Sequence, residues 1–238
     1  MISLIKFLFE TTPRNPDTII IQNEFYPSGL TEKDIYSYYM KNKSKILNQV
    51  DNRDLMIFFA TDKNKFIVRR IGRNLDRIHL DKHNYERVIN GRTVSIHSTM
   101  ESKENFGIID IDCADFAQAR ESAAEIYDFL LKYNKNLKIR YTGKESFHIF
   151  YYFGNTYDIG EIRDRLKGIL LNLKDKKYLI NRTRTPGKVN LDLSSNKFRG
   201  GYITLHSLSV LGLRCMEVKR QDLLKFQRED AKLRWVRC

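Results

Sequence analysis

Phe106-Gly107-Ile108-Ile109-Asp110-Ile111-Asp112 is the stretch on which the reading of this chain turns. It is an apolar run, rich in β-branched residues, that ends in two carboxylates, as expected of a buried strand with charge at its far end. Side chains two positions apart on a strand project from one face, about 6.5–7 Å apart at the backbone. Asp110 and Asp112 can therefore converge on one ion. Short carboxylates are hard oxygen donors and suit Mg²⁺ or Mn²⁺ rather than zinc. The plainer alternative is a strand end whose acids are solvated beside the helix starting near Asp115, and a D-x-D pair alone does not separate the two.

Outward from this strand, the patterning predicts an α+β fold. Thr31-Glu32-Lys33-Asp34 has the form of a capping box and opens a helix over 31–50, with Ile35, Tyr38, Tyr39, Ile46 and Leu47 at helical spacing. Runs at 55–61 and 65–71 flank the polar triplet Asp62-Lys63-Asn64 and read as a hairpin. Further strands are expected at 92–97, 138–141, 147–153, 188–193, 202–205 and 211–218. Helices are expected at 115–132, at 159–173 and, as a basic closing segment, at 221–236. The sheet should be mainly antiparallel, with helices against it.

The 238 residues fit one catalytic domain over 1–238 or two small lobes. Fourteen Phe, thirteen Tyr and repeated Ile, Leu and Val runs supply a core, which excludes a disordered chain. No apolar stretch approaches the roughly 18–20 residues of a membrane span, and 1–10 is too short for a secretory signal, so an intracellular protein with no membrane partner is expected. Cys113, Cys215 and Cys238 match no zinc spacing and read as reduced thiols. Lys and Arg outnumber Asp and Glu by 42 to 29, a net charge of +13 that favours a polyanionic partner such as nucleic acid through counterion release. Solubility alone can also account for such a charge.

A third carboxylate comes from Val189-Asn190-Leu191-Asp192-Leu193, where Asp192 interrupts another apolar strand. A lone buried charge there would be costly without a counterion. Thr142-Gly143-Lys144-Glu145-Ser146-Phe147-His148 is a small-residue turn leading into a strand. Gly143 permits close backbone approach, Thr142 and Ser146 offer hydroxyls, and His148 shares a face with Ser146. That composition suits a triphosphate. Taken singly, His148 reads more readily as a hydrogen-bonded structural histidine than as a ligand. Arg182, Arg184 and Lys188 precede Asp192, and Lys197 and Arg199 follow it; each alone reads as a solvated loop residue, but together with the acids they suit phosphoryl transfer.

The order of these features resembles the archaeo-eukaryotic primase superfamily: a strand with D-x-D, a strand with a small residue-x-His, then a strand with one Asp. More narrowly, the chain is similar to the polymerase module of DNA ligase D from prokaryotic non-homologous end joining. The likeness is carried by Gly29-Leu30-Thr31-Glu32-Lys33-Asp34-Ile35-Tyr36-Ser37-Tyr38-Tyr39, by Val94-Ser95-Ile96-His97, and by the path from Asp110-Ile111-Asp112 to the turn before His148. The fourth segment is Gly187-Lys188-Val189-Asn190-Leu191-Asp192-Leu193-Ser194-Ser195-Asn196, continued by Thr204-Leu205-His206. The resemblance implies a primase-polymerase core with an RRM-like sheet.

It further implies that Asp110, Asp112 and Asp192 are the catalytic, metal-binding acids of a two-ion Mn²⁺ or Mg²⁺ centre. Thr142, Lys144, Ser146, His148 and Arg184 would bind the triphosphate, and His97 would lie near the nucleotide sugar. Phe66 is available for base stacking, and Arg69 and Arg70 for tracking a template strand. The implied reaction is template-directed addition of nucleotides to a 3′-hydroxyl in DNA end joining or gap repair. Its partners would be template-primer DNA and nucleoside triphosphates, with ligase and end-binding proteins as separate chains. The alternatives are a true primase of a virus, plasmid or defence system, a non-catalytic nucleic-acid-binding module, and a metal-dependent nuclease. Two departures from the family pattern stand out: Glu145 occupies a usual Lys position, and Thr204-Leu205-His206 replaces a usual Ser-Leu-Arg.

Overall fold

Alternating apolar residues set most of the strands, and side-chain caps at Thr31 and Asp115 set where two of the helices begin. The computed structural model describes residues 15–50, 53–62, 65–71, 80–180 and 185–234, less the side chains of residues 62 and 69–71. The chain opens with β1 (Ile19–Asn23) and β2 (Tyr26–Thr31), a hairpin turned by Asn23, whose side-chain oxygen accepts from the N–H groups of Phe25 and Tyr26. Helices α1 (Glu32–Lys41) and α2 (Lys43–Val50) follow, then β3 (Leu55–Asp62), β4 (Lys65–Ile71), the single turn α3 (Tyr85–Val88) and β5 (Thr93–Thr99). Next are β6 (Lys103–Asp112), α4 (Phe116–Leu130), β7 (Leu137–Tyr141), β8 (Phe147–Asp158) and α5 (Ile159–Leu170). The chain continues through β9 (Tyr178–Leu179), β10 (Val189–Asp192), β11 (Gly201–Ile203), β12 (Met216–Val218), α6 (Arg220–Leu223) and a 3₁₀ turn at Arg228–Ala231.

The chain divides into two units: Met1–Ser98 with Ile203–Cys215 and Ala231–Cys238, and Thr99–Tyr202 with Met216–Asp230. In the first unit, Leu55, Ile57 and Phe59 alternate inward along β3, the middle partner of β4 and β5. Buried Tyr38, Tyr39 and Tyr85 keep their hydroxyls paired: Tyr38 donates to the His206 carbonyl, Tyr85 donates to the Tyr39 carbonyl, and the Tyr39 oxygen accepts from Leu208 N–H. Burial holds all three phenols well above the ordinary tyrosine range. The buried Glu32 carboxylate is answered by Arg92 Nε at 2.6 Å.

The capping box at α1 forms as the sequence predicts: the Thr31 hydroxyl accepts from Asp34 N–H, and the Asp34 carboxylate accepts from Thr31 N–H. Thr31→Ala should therefore cost about 1 kcal/mol in denaturant unfolding. The expected single helix over 31–50 is instead two. The break falls at Asn42, whose N–H makes a regular helical bond to the Tyr38 carbonyl while its side-chain amide donates to the same oxygen, a local bond that competes with the ladder.

The second unit carries the six-stranded sheet β12-β7-β8-β6-β10-β9, antiparallel except at β10/β9. Its alternation separates two faces. Gly107, Ile109, Ile111, Phe147, Ile149, Ile139 and Tyr141 face α4 and α5. Gly107 is required there, since a Cβ would sit 2.6 Å from Ile162 Cγ2 and from Leu166 Cδ1. The other face begins with an aromatic cluster of Phe106, Phe150, Tyr152 and Tyr202 and becomes polar toward Asp110 and Asp112. Between β6 and β8 the pairing jumps from Glu104↔Tyr157 to Phe106↔Tyr152, so four residues of β8 bulge against one of β6.

The α+β architecture with mainly antiparallel sheets and flanking helices is as the sequence predicts. Two segments differ. The expected helix at 221–236 is reduced to α6 and the 3₁₀ turn. Phe226 is drawn into a cluster with Tyr141, Phe147 and Phe116, and the Ala231 carbonyl accepts from Arg214 rather than from a helical N–H. The strand expected over 211–218 is confined to β12, because Gly212, at φ +76°, takes the chain through a turn first.

Candidate active site

β6 is flanked by β8 and β10, and the registers decide which side chains become neighbours. Asp110 lies across from His148 on one side and from Asp192 on the other; Asp112 lies across from Asn190. Cross-strand partners share a face with Cα atoms about 4.5–5.5 Å apart. A row of His148, Asp110 and Asp192 thus runs across three strands, with Asp112 one step further along the same face. The sequence separation between Asp110 and Asp192 disappears in this register.

The His148 imidazole Nε2 is 3.5 Å from Asp110 Oδ2, and the histidine is only 6% exposed. Asp110 Oδ1 and His148 Nδ1 are buried without a hydrogen-bond partner. Asp192 accepts from Ser194 N–H at 2.7 Å and from the Ser194 hydroxyl at 2.8 Å, which fixes its carboxylate at the end of β10. Among the described residues, no three His, Cys, Asp or Glu side chains close around a common point as a formed metal cluster. The donor set nevertheless fits a hard divalent cation: three carboxylates occupy adjacent positions on one face, and one of them keeps a buried, unsatisfied oxygen.

Beside this row the turn at 142–146 closes on itself. The Thr142 hydroxyl lies 2.8 Å from the Ser146 hydroxyl and donates to the Ser146 carbonyl at 3.0 Å, while Gly143 takes φ +89°. The Tyr141 hydroxyl donates to the Lys144 carbonyl at 2.6 Å, and burial pushes that phenol upward. Lys144 is exposed at the tip. Glu145 lies 3.8 Å from Arg228.

Asp110, Asp112, Asp192, Thr142, Lys144, Ser146 and His148 all belong to the second unit. His97 belongs to the first, on β5 across from Met56, with its ring 4.8 Å from that of Phe58. Phe66, half-buried on β4, pairs with Ala60; Arg69 and Arg70 pair through their backbones with Ile57 and Met56. Arg184 and Arg182 lie outside the described residues.

Two residues escaped the sequence reading. Arg140 stands across from His148 on the same face, although a basic residue in a strand ordinarily reads as solvated. Asn196 is fully buried: its side chain accepts from Ile108 N–H at 2.8 Å and donates to the carbonyls of Ile108 at 2.6 Å and Leu193 at 3.1 Å, continuing the ladder beyond β10. An Asn directly after a strand with two serines is its only signal.

No family model matches the chain, and no curated protein matches it. Among solved structures, the polymerase domain of Ligase D from Mycobacterium tuberculosis, in complex with DNA, is similar to it with a TM-score of 0.65 and 14% identity, over 90% of this chain and 88% of that one. The chain shares the fold of that polymerase domain.

Proposed function

We propose that this chain is a nucleotidyltransferase of the primase-polymerase type, adding nucleotides to a 3′-hydroxyl under the direction of a template. The reading rests on one observation: Asp110, Asp192 and His148 occupy matched registers on three adjacent strands, with Asp112 beside them. The shared fold with a DNA-bound polymerase domain supports it. Clustered acids on a strongly basic chain make sense where a cation mediates between them and phosphate.

Asp110, Asp112 and Asp192 would hold two Mg²⁺ or Mn²⁺ ions, whose chemistry is to neutralise phosphate charge and to ease loss of the hydroxyl proton. His148, whose Nε2 lies 3.5 Å from Asp110 Oδ2, would contact the phosphates. Thr142 and Ser146 present hydroxyls, and Lys144 and Arg184 supply charge to the same triphosphate. The resemblance would give His97 to the nucleotide sugar, Phe66 to base stacking, and Arg69 and Arg70 to the template backbone. In the reaction, a bond forms between the 3′-oxygen and the α-phosphorus as the bond to the leaving pyrophosphate breaks. We place this activity inside the cell, in end joining or gap repair, with separate ligase and end-binding proteins.

Primer extension tests the reading. On a gapped template the chain should incorporate nucleotides only when Mg²⁺ or Mn²⁺ is supplied. Comparing dNTPs with NTPs then defines the substrate. Synthesis on an unprimed single strand would reassign the chain as a primase, whereas DNA binding without synthesis under every metal condition would reduce it to a binding module.

A further inference from the structure

Arg140 is buried in the polar row without an anion to balance it. It is 6% exposed, and its guanidinium carbon lies 3.9 Å from the centre of the Phe150 ring. Its Nε finds no acceptor, and among the described residues no carboxylate forms an ion pair with it. The acid in register with it, Glu217 on β12, instead holds Lys138 Nζ at 3.3 Å. A guanidinium removed from water is costly unless an anion compensates, and one aromatic stack recovers only part of that cost. The neighbouring His148 is equally buried, its Nδ1 is unpaired, and its ring centre lies 6.3 Å from that of Phe150. Arg140 and His148 are thus two adjacent buried side chains, each with an unpaired nitrogen, beside the turn at 142–146.

We propose that Arg140 is a phosphate-binding residue that completes, with His148, the seat for the polyphosphate end of a nucleoside triphosphate. This rests on the nucleotidyltransferase reading and adds a residue to it. A guanidinium presents a planar fork that matches pairs of non-bridging phosphate oxygens. The assignment also explains how Glu145 is tolerated. With an acid at the turn and Arg228 beside it, the sheet adds a cation to the one that Lys144 brings at the tip.

Inorganic tripolyphosphate, titrated calorimetrically into the whole chain without metal at about 0.15 M salt, where exposed lysines are screened, is the direct probe. Arg140→Met keeps an unbranched chain over Phe150 and removes the charge. It should weaken tripolyphosphate binding about tenfold or more, and Arg140→Lys should restore part of the loss. The methionine variant should melt no lower than wild type, since an uncompensated charge has been removed. Its affinity for primer-template DNA should stay within about twofold, which separates a triphosphate seat from a contact to the DNA backbone. The proposal is overturned by unchanged tripolyphosphate affinity in the folded methionine variant, by selective loss of DNA binding, or by failure of that variant to fold, which would mean the charge is already compensated. If wild type extends primers but does not bind tripolyphosphate, this proposal alone fails. If it does neither, the nucleotidyltransferase reading fails with it.

Discussion

Asp110→Ala should remove nucleotide incorporation and leave both folding and DNA binding in place. Asp110 is the central member of the row, with His148 across one strand boundary and Asp192 across the other, so every charge-neutralising contact proposed for the reaction passes beside it. Loss of one such group in a phosphoryl-transfer site costs about 10³-fold in rate. The fold should be spared because the lost carboxylate has an unsatisfied buried oxygen, whose desolvation penalty of about 1–3 kcal/mol disappears with it. Single-turnover incorporation, fluorescence anisotropy with primer-template and a thermal melt measure the three quantities separately. A variant that retains more than about a tenth of wild-type incorporation would refute the assignment, because an effect that small is within reach of a mere packing change.

Asn196→Ala should be the most destabilising substitution at the site's edge. The side chain makes three hydrogen bonds and, once removed, strands the N–H and C=O of Ile108 in the interior. At about 1 kcal/mol per bond, with a further penalty for each stranded group, the expected loss is about 3–5 kcal/mol in urea unfolding. Incorporation should fall as well, since Asn196 ties the chain just beyond Asp192 to the strand that carries Asp110. Ser195→Ala is the control: its hydroxyl makes one bond, to the Gly201 carbonyl at 3.1 Å, so a loss of about 1 kcal/mol or less is expected. Equal losses in the two variants would show that Asn196 is an ordinary loop residue.

Alternation was enough to place β6, β7, β8 and β10, to put Asp110 and Asp112 on one face of β6 and to put His148 on the same side as Ser146, because a strand's period of two is a local property. The adjacency of Asp192 to Asp110 was not local. It depends on which strands pair and in what register, and only the likeness in motif order pointed to it. Arg140 was invisible for a related reason: its burial comes from Phe150 and the neighbouring strands, not from its own sequence context. The misread helix over 221–236 shows tertiary contacts overriding propensity, since Phe226 and Ala231 satisfy ring and carbonyl contacts that a continuous helix could not. The turn at 142–146 was legible from its small residues, and the structure adds that Gly143 takes a positive φ, a conformation glycine adopts freely.

The four-against-one bulge at Phe153–Gly154-Asn155-Thr156 works as a phase breaker. Adding or deleting a residue in an antiparallel strand normally swaps its two faces all along its length, which here would exchange His148 for Phe147. With the pairing already interrupted and Gly154, Asn155 and Thr156 exposed, a change in length at this point is absorbed before it reaches the end of β8 that carries His148. That makes it a natural place to graft a fluorophore or an affinity tag, and a place where relatives of this chain can drift in length without losing the chemistry.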